Sequence, residues 1–125
     1  MRKPAIKPSG RVHIHRTVSD MKRAIDFYVT VLGFYYEQGV REMAWLTQDN
    51  LLLTISPGEP VVDLGSYFGW TVDSLEELDA LYDRLYKRHI RLSAPPDAPG
   101  GRCYFFAYDP DDYPLAFSFQ EPAAD

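Results

Sequence analysis

The 125 residues, 46% apolar and 25% charged, have the size and balance of one globular domain, and no stretch approaches the run of about 20 apolar residues that a membrane helix needs. The net charge of −5 is unevenly held, +6 over residues 1–24 and −11 over the rest, and an acidic body excludes a nucleic-acid partner because phosphate neutralisation needs a basic face. The one cysteine, Cys103, excludes an internal disulfide and a four-cysteine zinc site and is in keeping with a reducing, cytoplasmic location.

The basic opening, Met1 to Pro8, has no apolar run behind it and reads as a solvated arm rather than a signal peptide. Arg11 to Val18 alternates strictly and predicts a strand. Ser19-Asp20 caps a helix whose apolar positions are Met21, Ala24, Ile25, Tyr28, Val31 and Leu32, and Gly33 ends it. Phe34 to Val40, Glu42 to Gln48 and Leu51 to Ile55 predict three strands, the last two joined by a turn at Asp49-Asn50. A linker rich in Pro and Gly follows, over residues 57–63.

The same order then returns. Tyr67 to Val72 predicts a strand, and Ser74-Leu75-Glu76-Glu77 is a capping box opening a helix with Leu75, Leu78, Leu81, Tyr82 and Leu85 on one face. A short strand over Ile90 to Leu92 and a Pro/Gly-rich loop over Ser93 to Gly101 lead to a hairpin, Cys103 to Tyr108 and Pro114 to Phe119, around Asp109-Pro110-Asp111-Asp112. At an offset of 54, Val18 matches Val72, Asp20 matches Ser74 and Tyr28 matches Tyr82; at an offset of 62, Asp49-Asn50 matches Asp111-Asp112. The chain is therefore read as α+β, with βαβββ modules at about 10–56 and 64–121. Neither is large enough to bury itself alone, so the expectation is one curved mixed sheet around a cleft, with helices outside.

The stretch His13 to Phe34, with His-x-x-x-x-Val-x-Asp, Phe27-Tyr28 and Leu32-Gly33-Phe34, resembles the opening of the vicinal oxygen chelate superfamily of glyoxalases, bleomycin resistance proteins and extradiol dioxygenases. Tyr104 to Phe119, around Asp-Pro-Asp, resembles its closing hairpin. The resemblance implies a cleft whose metal, in metal-binding members, is held by His and Glu on the first and last strands of each module. Those four positions are His13, Thr54, Tyr67 and Ala116 here. A methyl cannot donate to a metal, and a hydroxyl or phenol replaces carboxylate or imidazole poorly, so no metal and no other cofactor is expected.

Alternation along the strands places His13, His15 and Thr17 on one face, and Tyr67, Gly69 and Thr71 on the corresponding face of the second module. Gly69 is read as leaving room for a ligand. A three-residue turn at each hairpin, with Asn50 or Asp112 in the left-handed position, sets Ala44 opposite Thr54 and Phe106 opposite Ala116; Met43 and Trp45 then face the helices. The predicted ligand-binding residues are His13, His15, Thr54, Tyr67, Arg102, Tyr104 and Phe106. No catalytic residue is identified.

The function expected is metal-independent binding of an aromatic or cationic small molecule, as in the drug-sequestering, antibiotic-resistance branch that the resemblance suggests. The alternative is a lyase, isomerase or dioxygenase-type enzyme using His13 or His15 as base, with Tyr67 as donor, or a metal form that adds Glu42. A third reading is a module whose dimer surface matters more than its cleft. A small molecule and a second copy of the chain, as a homodimer, are the expected partners, with neither nucleic acid nor membrane.

Overall fold

The computed structural model describes residues 9–37, 39–93, 95–96 and 102–120. The chain divides between Pro60 and Val61 into two compact units, each α+β.

In the first unit β1 (Val12–Val18) runs into α1 (Met21–Asp26), which Asp20 caps by accepting the Arg23 backbone N–H at 3.1 Å. The helix continues as a π-helical turn over Phe27–Val31 and stops before Gly33, whose φ of 80° carries the chain out as predicted. Three strands follow, β2 (Tyr35–Glu37), β3 (Ala44–Gln48) and β4 (Leu51–Pro57), giving the sheet order β1-β4-β3-β2 with β1 and β4 parallel. One face of this sheet is apolar. Val18, Leu46, Leu53 and Ile55 are fully buried there, with Ala24 and Tyr28 among the buried helical residues. Each such side chain contributes roughly 1.5–3 kcal/mol by leaving water. The Tyr28 ring also meets the Phe27 and Phe34 rings edge to face.

The second unit repeats the plan with β5 (Phe68–Thr71), α2 (Leu75–Lys87), β6 (Arg102–Tyr108) and β7 (Pro114–Gln120), in the order β5-β7-β6 with β5 and β7 parallel. The predicted strand at Ile90 to Leu92 reduces to a single bridge between Leu92 and Ala107, at the place that β2 takes in the first unit. Ser74 caps α2 through the Glu77 N–H at 3.1 Å, as Asp20 caps α1, while the Glu77 carboxylate reaches back to the Asp73 N–H. Leu78, Leu85, Phe105 and Leu115 are fully buried, and Phe117 stacks between Phe105 and Trp70. At the helix end the Ile90 N–H bonds the Leu85 carbonyl and the His89 N–H bonds the Tyr86 carbonyl, a Schellman motif with His89 at φ 61°. That left-handed position favours glycine. His89→Gly is expected to raise stability by about 1 kcal/mol in urea unfolding.

The two hairpins differ. In the second, Phe106 pairs with Ala116 and Asp112 takes φ 70°, as the three-residue turn predicts. In the first, Gln48 pairs directly with Leu51, so the turn holds two residues and Asp49, not Asn50, takes the left-handed position. This one-residue slip exchanges faces. Trp45 pairs with Thr54, and Ala44 pairs with Ile55 on the buried face. The predicted pairing of Ala44 with Thr54 and the placing of Trp45 against the helices are corrected by this register, and Glu42, within the predicted strand Glu42 to Gln48, lies in the turn before β3. In the second hairpin the buried carboxylate of Asp109 accepts the Asp111 and Tyr113 N–H groups and holds a three-residue loop, whereas in the first Gln48 stands at that place before the turn and its side chain donates to the Leu32 carbonyl instead.

Candidate functional site

The face of the first sheet opposite its helix is polar. His13, His15 and Thr17 on β1 register with Leu52, Thr54 and Ser56 on β4, and Trp45 and Thr47 follow on β3. Three of the predicted residues meet here. Thr54 Oγ1 lies 3.1 Å from His13 Nε2 and 2.8 Å from His15 Nδ1, and Ser56 Oγ lies 3.1 Å from His15 Nε2. A threonine hydroxyl carries one proton, so it can donate to only one imidazole and must accept from the other if both bonds form; the two tautomers are thereby coupled. Both ring nitrogens of His15 are engaged, while His13 Nδ1 has no partner among the described residues. Thr54, only 2% exposed, acts on the two rings rather than on solvent. Trp45, brought to this face by the register, has a buried indole N–H with no hydrogen-bond partner among the described residues.

The second sheet presents a cavity of about 360 Å³ on the face opposite its core, within the size range of small-molecule sites. Tyr67, Thr71, Tyr104, Phe106, Ala116 and Ser118 line it, as the alternation predicts. Cys103 and Phe119, which alternate with Tyr104 and Ser118 along their strands, complete the lining, and no sequence signal marks them. The Tyr67 and Tyr104 rings each stand nearly perpendicular to Phe106, at 87° and 81°, with centroids 5.0 and 5.9 Å away. Tyr67 is 52% and Tyr104 59% exposed, which leaves their surfaces accessible to a ligand. Arg102 opens β6, but its side chain lies outside the described residues.

Gly69 has a different reason from the one predicted. A Cβ there would lie 1.9 Å from the Ala116 carbonyl oxygen, so the missing side chain lets β5 approach β7.

Two modules of one strand order, each a mixed sheet with a helix on one face and an open polar or aromatic surface on the other, define the class of protein. The chain belongs to the Glyoxalase/Bleomycin resistance protein/Dioxygenase superfamily, whose family model matches residues 10–117. A solved glyoxalase/bleomycin resistance protein/dioxygenase from Nocardioides superposes with a TM-score of 0.79 at 16% identity, covering 98% of this chain and 89% of that one. One from Alicyclobacillus acidocaldarius gives 0.75 at 23% identity, covering 98% and 96%. The fosfomycin resistance protein FosX from Listeria monocytogenes gives 0.78 at 17% identity, covering 92% and 96%. At these identities the likeness speaks for the fold. A search of curated proteins found no match.

The donors present do not fit the metal that the superfamily resemblance implies. At its four positions stand one imidazole, a hydroxyl already within hydrogen-bond reach of two imidazoles, a phenol and a methyl. Among the described residues no three His, Cys, Asp or Glu side chains come together as a metal centre would need. No helix is long and apolar enough to cross a membrane.

Proposed function

We propose that the protein is a metal-independent small-molecule binder whose ligand sits on the aromatic face of the second module. The observation that carries this is the cavity in which Tyr67, Tyr104 and Phe106 meet, with two of the three rings half exposed. Aromatic or cationic compounds are the classes such walls hold, each well-placed ring adding about 1 kcal/mol beyond area burial. The missing metal donors support independence from metal. A role in dealing with a foreign compound, as in antibiotic resistance, belongs to the same reading, since the superfamily includes bleomycin resistance proteins. A cytoplasmic homodimer completes the reading, its mass to be taken by light scattering.

The neutral planar probe 2-naphthol tests it. Phe106→Ala is expected to weaken 2-naphthol binding about tenfold, measured by fluorescence titration with chelator present. Equal binding by wild type and Phe106→Ala would remove the second-module site from the account.

One observation favours an enzyme as the second reading. His13 is exposed, held at Nε2 by Thr54, and has no partner at Nδ1 among the described residues, the arrangement of an oriented base. On that reading any turnover found is abolished by His13→Ala and only reduced by His15→Ala. Equal loss in both, or in neither, would sink it.

A further inference from the structure

The geometry points to a quaternary ammonium group as the part of the ligand that the second-module cavity recognises. This inference rests on the proposed function and narrows it to one chemical class.

The first ground is the arrangement of the rings. Two rings at right angles form a corner, and a group seated in a corner touches a face of each. Phe106 makes such corners with both Tyr67 and Tyr104, at 87° and 81°, and all three rings line the same cavity. The faces of aromatic rings are the negative end of their quadrupoles, and a cation within about 6 Å of a centroid is held by them. Centroid separations of 5.0 and 5.9 Å keep neighbouring faces within that reach of one bound charge.

The second ground is what the cavity lacks. Among the described residues that line it none is Lys, Arg or His, so none of these is a standing cation that repels one, and none is Asp or Glu either. A primary ammonium brings three N–H donors that lose water on entry, and the neutral hydroxyls of Thr71, Ser118, Tyr67 and Tyr104 offer it acceptors but no countercharge among the described residues. A quaternary ammonium brings no donor and a shell of methyl groups, so ring faces alone satisfy it. The third ground is charge at a distance: the chain's net charge of −5, with an excess of −11 beyond residue 24, draws cations toward the molecule.

The register explains how the sequence builds this. Tyr104 and Phe106 lie two apart on β6, hence on one face, and Phe106 pairs with Ala116, whose small side chain leaves the space beside the ring open. Gly69 pairs with Ala116 from the other side and lets β5 come close enough to bring Tyr67 against Phe106, its ring contact.

The test uses three soluble probes: choline, its uncharged carbon isostere 3,3-dimethyl-1-butanol, and the primary amine ethanolamine. Binding is followed on the full chain by NMR, reading the Tyr67, Tyr104 and Phe106 ring signals, with 2-naphthol as a neutral aromatic control. Choline is expected to bind at least tenfold more tightly than either comparator. Tyr67→Leu and Tyr104→Leu, at exposed positions that leave the fold intact, are each expected to weaken choline at least fivefold and the isostere less than twofold. If 2-naphthol moves the ring signals but choline binds no better than its isostere, the ammonium inference is wrong and the proposed function stands. If no probe moves them, both fall. If choline binds but both leucine variants bind it equally well, the site lies elsewhere and the inference is overturned.

Discussion

Gly69→Ala is expected to destabilise the protein by about 3 kcal/mol or more, and to show mainly as lost folding rather than as lost affinity in a folded protein. The added Cβ would sit 1.9 Å from the Ala116 carbonyl oxygen and 2.6 Å from its carbon, where the obstacle is backbone and cannot rotate away. Relief requires β5 to separate from β7, and β5 pairs with no other strand in its sheet. Urea unfolding checks this. A folded alanine variant of normal stability with a filled cavity would instead support the sequence reading, in which the glycine makes room for ligand.

Asp109→Ala is expected to cost about 3 kcal/mol, because it takes the acceptor from a buried N–H, that of Tyr113, and from a part-buried one, that of Asp111. Asp109 is 4% exposed, and its Oδ1 accepts from Asp111 N at 2.9 Å and Tyr113 N at 3.0 Å. Asn keeps an acceptor at the same atom, so Asp109→Asn is expected to recover more than half of the loss. The ion pair beside it, Arg91 with Asp112, is 62% and 65% exposed on its two sides and contributes little by comparison. Thermal or urea denaturation of the two variants provides the comparison; an alanine variant as stable as the asparagine one would show that the carboxylate does not hold the loop.

Much of the fold was legible because alternation and capping are local. Asp20 and Ser74 were both readable as helix caps, and the structure gives each the same bond to the N–H three residues on. The parity of Tyr104 and Phe106 followed from a three-residue turn with Asp112 in the left-handed position, and the structure has both. The first hairpin was not legible, since Asp49-Asn50 suits either a two- or a three-residue turn, and the residue before it, Gln48, turns its side chain to the Leu32 carbonyl rather than into the loop as Asp109 does. Trp45 was therefore placed on the wrong face. Gly69 could be marked as special, but its reason is the approach of a strand more than 40 residues away, which no local pattern carries. The bonds of Thr54 to His13 and His15 are likewise long-range: parity put the three on one face, and only coordinates show that the hydroxyl lies between the rings.

The central claim is that the aromatic face of the second module binds a small molecule without metal. The most direct measurement is an NMR titration of chelator-treated protein with 2-naphthol, followed by the same titration after adding Fe(II), Ni(II), Zn(II) or Mn(II). The account predicts saturable shifts of the Tyr67, Tyr104 and Phe106 ring signals in the metal-free protein, unchanged by any of the four ions. Shifts that appear only once a metal is bound at His13 would contradict it.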